Sequence, residues 1–231
     1  MTEIDINVKI QDFLRSALQK IFVNDYHKAI NELKAAEVID KNNPEILYNL
    51  GISYCRLGLH KTALNYFDRL FLLPFAFIEI LTVKKLYAYC LIHLKEFLTA
   101  LKYIDEVLQI SPAHTAAANM KGYSLEKLGK SLEAIELYRL IIKRDDKNYN
   151  AYNSLAYLLA QHTKNFTIAL EYAQKAVSGS TKNPAYLDTL GYVYEHLGDY
   201  KQAEHFVKIA LAYAPMSEEI RSHLKSIINK K

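Results

Sequence analysis

Apolar residues recur along most of the chain at a helical period. In the interval from Thr115 to Arg144, a first helical stretch reaches Leu128 and is interrupted by Gly129 and Lys130. A second begins at Ser131, with Leu132, Ile135, Tyr138, Leu140 and Ile141 near helical spacing. The predicted element is a helix hairpin with a short turn. Residues 217–229 predict one further helix: Ser217 suits an N-cap and Glu218 and Glu219 a first turn. Ile220, Leu224, Ile227 and Ile228 form one stripe there, with Arg221, Lys225 and Lys230 outside it. The most apolar stretch, Leu70 to Leu81, is broken by Pro74 and Glu79 and falls short of the roughly 20 residues that a membrane-spanning helix needs.

The hairpin repeats. Ala29, Ala63, Ala100, Ala134, Ala169 and Ala203 follow one another at 34, 37, 34, 35 and 34 residues. A second small-residue column, Ala17, Gly51, Ala88, Gly122, Ala156 and Gly191, has spacings of 34, 37, 34, 34 and 35. Both place a three-residue insertion near 75–80 and a one-residue insertion near 161–166. Small residues at such spacing mark the crossing of two closely packed helices. Gly58, Gly129 and Gly198 each lie seven residues after a glycine of the second column, where a helix ends in a left-handed residue. Asn24 and Asn165 are candidates for the same place in other units. Pro44, Pro112, Pro184 and Pro215 fall between hairpins.

With this period, and with leucine, glycine, tyrosine, glycine, alanine and an apolar residue recurring in order from Pro44 to Phe77 and from Pro184 to Ser217, the chain resembles the tetratricopeptide repeat (TPR) family. A composition rich in Lys, Ile, Asn and Tyr suits an AT-rich, bacterial genome. The resemblance implies an all-α fold, an α-solenoid of about six antiparallel helix hairpins wound as a right-handed superhelix. The units are 10–43, 44–77, 81–114, 115–148, 149–183 and 184–217, after a frayed lead-in at 1–9 and before a capping helix and tail at 218–231. Ser16, Lys20 and Lys84 depart from the family pattern, and Lys84 puts the packing around 78–86 in question.

The resemblance further implies that the first helices line a concave groove. One residue after the small column come Leu18, Ile52, Tyr89, Tyr123, Tyr157 and Tyr192, and four residues earlier Leu14, Tyr48, Lys85, Asn119, Asn153 and Asp188. These share a helical face. Tyrosine offers stacking area with a hydroxyl, and amides hydrogen-bond an extended backbone of any sequence. Two readings stay open for the tyrosines: contact with a partner, or filling between neighbouring helices. Asn49, Arg56, His93, Glu126, Lys127, Glu195 and His196 are further surface candidates. The Lys, Asn and Arg clamp with which some family members hold acidic chaperone tails is absent, since Leu14, Leu18, Thr82 and Leu86 stand where it would need polar or basic residues. Phe71, Phe75, Phe77 and Ile78 form a candidate apolar patch for docking or self-association, or else part of a lengthened helix pair.

Composition excludes other classes. Seven Gly and five Pro are too few for the turns of a sandwich or barrel of 231 residues. A net charge of +4 with interspersed signs leaves no basic face for nucleic acid. Acidic Glu3 and Asp5 oppose an export signal, and Cys55 and Cys90 form no CxxC pair, so a cytoplasmic location with reduced thiols is expected, with no membrane insertion. Eight histidines include no HxxxH or HExxH, and no phosphate loop or nucleophile elbow occurs. No enzyme, metal or cofactor is expected. The expected function is a non-catalytic adaptor or scaffold gripping an extended peptide or helix of a partner protein. The alternatives are a chaperone or assembly factor shielding an apolar client segment and an accessory subunit of an enzyme complex.

Overall fold

The computed structural model describes residues 3–74 and 80–230. Among these there are thirteen α-helices, one π-turn and no strand. The chain divides into two compact units, Met1–Ala117 and Ala118–Lys231. The first contains the pairs α1 (Glu3–Phe22) and α2 (Tyr26–Ile39), α3 (Pro44–Arg56) and α4 (His60–Phe71), and α5 (Ile80–His93) and α6 (Phe97–Ile110). Helix α7 (Thr115–Lys127) begins at the end of this unit and continues into the second. There follow α8 (Ser131–Arg144), α9 (Tyr149–Leu158) with α10 (Phe166–Gly179), α11 (Pro184–His196) with α12 (Tyr200–Tyr213), and α13 (Glu218–Lys230).

Helix starts follow local chemistry. The Asn43 and Asn183 side chains accept backbone N–H bonds at the starts of α3 and α11, each with proline in the next position. Asp25, Asn148, Asn165 and Asp199 cap α2, α9, α10 and α12 in the same manner. Asn165 is thus a cap, and the left-handed residue of that hairpin is Lys164, at φ 54°. Asn24 does take the left-handed place, as does Lys95 in the third hairpin. The helix α1 reaches back to Glu3, taking in most of the expected lead-in.

The small columns are crossings. A Cβ on Gly122 would lie 2.5 Å from the Tyr138 ring, and one on Gly191 would lie 2.4 Å from Val207 Cγ2. Ala17, Ala29, Ala63, Ala88, Ala100, Ala134, Ala156, Ala169 and Ala203 are fully buried. The extra residue of the fifth hairpin is absorbed inside the helix, where Leu159–Thr163 forms a π-turn. Lys84 is accommodated by an ion pair with Glu106 at 2.6 Å while Val83 beside it is buried.

The last helix follows its predicted stripe in part. Ser217 Oγ accepts the Ile220 N–H, Ile220 and Ile227 join the core of Leu187, Ala203, Val207 and Ala210, and Leu224 packs against it. Ile228 departs from the stripe and is half exposed. Among the described residues no helix is long and apolar enough to cross a membrane.

Candidate functional site

In the second unit, the close crossings at Gly122, Ala156 and Gly191 turn the following residue of each helix outward. Tyr123, Tyr157 and Tyr192 therefore face one open groove of about 700 Å³, together with Asn153 and Asp188 from the preceding turn. Helix α13 supplies a wall through Glu219, Ile220 and His223. The Tyr157 and Tyr192 rings lie 5.3 Å apart, so these two both fill space between helices and line the groove. Burial pushes both phenols above their ordinary values, and they stay protonated hydrogen-bond donors. Tyr123 is 40% exposed, with Lys127 Nζ 5.1 Å from its ring centroid.

The groove lining sets three carboxylates, Glu126, Asp188 and Glu219, against Lys127 and His223. Lys127 pairs with Glu126 at 2.8 Å. Burial pushes the pKa of this lysine down, but the hydrogen bond and charge of Glu126 outweigh it and hold the pKa above the ordinary value. Asn153 Oδ1 is buried without a hydrogen-bond partner, while Asn119 Nδ2 donates to Asn148 Oδ1 at 3.2 Å and braces the cap of α9. A neighbouring hollow of about 840 Å³ shares Glu126, Lys127 and Tyr157 and reaches Gln161 and His162.

Asp188 belongs to a network that sequence reasoning did not find. His223 Nδ1 lies 2.7 Å from Asp188 Oδ1, and Nε2 lies 3.1 Å from Glu195 Oε2. Glu195 also accepts from Lys230 Nζ at 2.8 Å. Expected among surface residues, Glu195 is instead buried at 6% exposure beneath α13. Burial pushes the His223 imidazole down, but the carboxylates at both nitrogens prevail and its pKa is raised. Burial conversely pushes Glu195 up, and Lys230 and His223 bring it below the usual value. The pairing holds α13 against α11 as the groove wall.

His196, also on α11, is occupied locally: Nδ1 lies 2.9 Å from the Tyr192 carbonyl and the ring packs on Tyr192 and Phe166.

In the first unit, Leu18, Tyr48 and Asn49 line a hollow of about 640 Å³ with Gln11, Pro44 and Glu45. Asn49 is buried there, its amide donating to the Glu45 carbonyl at 2.8 Å, so its hydrogen bonding turns back on its own helix. Lys85 is half-buried and Tyr89 is 41% exposed on α5. Of the candidate apolar patch, Phe75, Phe77 and Ile78 lie outside the described residues. Phe71 packs against the Tyr87 and Tyr103 rings at 5.3 and 6.1 Å. Cys55, His60 and Cys90, unrelated by any sequence motif, come together in this unit.

Family profiles described as TPR repeat or tetratricopeptide repeat match residues 24–58, 119–185 and 185–215. A TPR repeat-containing protein of Pseudomonas aeruginosa is 34% identical over 86 residues, covering 37% of this chain and 14% of that protein. Tetratricopeptide repeat protein 6 of Homo sapiens is 25% identical over 196 residues, covering 85% of this chain and 37% of that protein. The chain thus spans well under two thirds of the length of either relative. Among solved structures, a tetratricopeptide repeat protein from Parabacteroides merdae superposes with a TM-score of 0.77 at 17% identity, covering 95% of this chain and 84% of its own. PilW, described as a widely conserved type IV pilus biogenesis factor, gives 0.73 at 19% identity, covering 99% and 100%. YrrB, described as a TPR protein with an unusual peptide-binding site, gives 0.59 at 20% identity, covering 76% and 88%. These structural likenesses are likenesses of fold.

Proposed function

Because this chain belongs to the tetratricopeptide repeat family, whose α-solenoid fold serves protein–protein interaction, we propose that it is a non-catalytic adaptor holding a segment of a partner protein in the groove of its second unit. The observation that carries this reading is the groove itself. Three outward tyrosines, one amide with an unpartnered oxygen and a wall made by α13 converge on about 700 Å³ of open space.

Its chemistry selects the occupant. Lys127 is paired with Glu126, and His223 faces Asp188, with Glu219 a further carboxylate on the wall, so no unbalanced positive charge is left to hold an acidic tail. The tyrosine faces suit apolar or aromatic anchors spaced along an extended strand or one side of a helix. The amides suit the backbone between the anchors. A cytoplasmic setting, which keeps the two buried thiols reduced, belongs to the same reading.

Native co-purification with mass spectrometry identifies the partner, and overlapping peptides from it locate the bound segment. Tyr123→Ala with Tyr157→Ala should weaken that peptide by about 1–3 kcal/mol with helicity intact. Unchanged affinity in the double variant would move the site away from this groove.

A further inference from the structure

Three side chains with soft or borderline donor atoms converge in the first unit. Cys55 sits in the last turn of α3, His60 is the first residue of α4, and Cys90 lies in α5. The two sulfurs and a ring nitrogen of His60 all lie within 4.8 Å of one another. Cys90 is fully buried and Cys55 is 6% exposed. A buried thiol alone is explained by packing, since cysteine behaves as a small apolar residue. The imidazole is not so easily explained. His60 Nδ1 is buried with no hydrogen-bond partner, a costly state for a polar atom.

We infer that Cys55, His60 and Cys90 form a binding site for a zinc ion, with two thiolates and one neutral imidazole as ligands. Zinc takes Cys sulfur at about 2.3 Å and His nitrogen at about 2.0–2.1 Å, which sets tetrahedral ligand atoms roughly 3.5–3.8 Å apart. Side-chain adjustments of about an ångström close the trio to that spacing. The fourth position is left to water, as in other zinc sites with three protein ligands.

Donor type and charge select the ion. Two sulfurs and a nitrogen do not suit magnesium or calcium, which require oxygen. Two thiolates neutralise Zn²⁺, so the filled site buries no net charge, whereas Cu⁺ in the same place leaves one negative charge.

The ring is also held in place. His93 stacks on His60 with centroids 4.4 Å apart, and Tyr89 meets it edge-on at 5.9 Å. A metal here ties the second hairpin to the first helix of the third. Its binding therefore stabilises the folded unit by mass action.

The test titrates the full chain, reduced and stripped with chelator, first with Co²⁺ and then with Zn²⁺. One equivalent of cobalt should bring up thiolate charge-transfer and tetrahedral d–d bands, one equivalent of zinc should bleach them, and zinc should raise the melting temperature. Cys90→Ala and His60→Gln should each weaken zinc binding by more than the roughly 10–100-fold that loss of an outer-shell partner costs. His60 is only half-buried, so His60→Gln is the variant expected to keep its fold, checked by circular dichroism. Absence of the cobalt bands in folded protein with both thiols free would overturn the site. So would bands that persist in His60→Gln, or one-to-one Cu⁺ binding without zinc binding.

Discussion

Glu195→Gln tests whether the terminal helix is held by the buried carboxylate or by apolar packing alone. The substitution keeps the shape of the side chain and removes its charge. In the wild type, Glu195 Oε2 lies 3.1 Å from His223 Nε2, and the carboxylate side chain is 5% exposed. A hydrogen bond to a charged group contributes about 1.5–3 kcal/mol, and an amide in its place recovers about 0.5–1.5. The half-exposed Lys230 contact is left out of the sum. A net loss of about 1–2 kcal/mol raises the open population of α13 about 5–30-fold. Because a single helix opens at lower cost than the whole unit unfolds, the loss should show locally. Hydrogen exchange read by mass spectrometry should find α13 amides less protected by that factor, with α9 and α10 amides unchanged.

The same helix should respond to pH, after correction for intrinsic exchange. His223 is raised above 6.5 in the folded state, so its contribution is complete below 6.5 and is lost as pH climbs through the folded value. Glu195 is lowered below 4.5, so its contribution is complete above 4.5 and is lost as pH falls through its folded value. Protection of α13 should therefore be greatest between these limits and decline on the alkaline side, more shallowly in Glu195→Gln. Equal protection in the two proteins, or wild-type protection that stays flat as pH rises past 6.5, would refute the carboxylate clamp.

Two glycines of the last hairpin should fail for different reasons. Gly191→Ala sets a Cβ 2.4 Å from Val207 Cγ2, with overpacking of about 1–3 kcal/mol only partly offset by the roughly 1 kcal/mol of helix propensity that alanine gains. Gly198→Ala meets open space but forces alanine to φ +81°, costing about 1–2 kcal/mol. In urea titrations Val207→Ala should rescue much of the first defect and none of the second. Lys164→Gly, at φ 54°, should gain about 1 kcal/mol in the same titration, and a loss would show that the lysine side chain has a structural role there.

The hairpin architecture was legible because its mechanical requirement recurs. Two helices that cross closely need small residues at the crossing, and a fixed repeat length turns that need into the columns through Ala63 and Gly122. The outward tyrosines were legible for the same reason, being set by their position one residue after a crossing. Features that depend on contacts between elements with no fixed offset were not. Glu195 occupies the place in its repeat that Glu126 holds two hairpins earlier, where the residue lines an open groove. At Glu195 a helix lies over that place, and no periodicity announces it. Cys55, His60 and Cys90 sit on three different helices, so their spacing resembles no ligand motif. The left-handed residue at Lys164 was misplaced onto Asn165 because residue type favoured asparagine, whereas the extra residue inside the helix decided which backbone position turns.

The π-turn at Leu159–Thr163 bears on how such chains change length over evolution. A single added codon is usually expected to be tolerated in a connecting loop. Here the surplus residue is carried inside a helix as a wider turn, with Thr163 Oγ1 donating to the Leu159 carbonyl at 2.8 Å, and the crossings at Ala156 and Ala169 on either side stay buried. The one-residue gap that the fifth unit opens in an alignment of these repeats therefore belongs within the helix. Removing one residue between 159 and 163 is expected to return the repeat to its common length by converting the π-turn to ordinary α-helix, with the crossings at Ala156 and Ala169 kept.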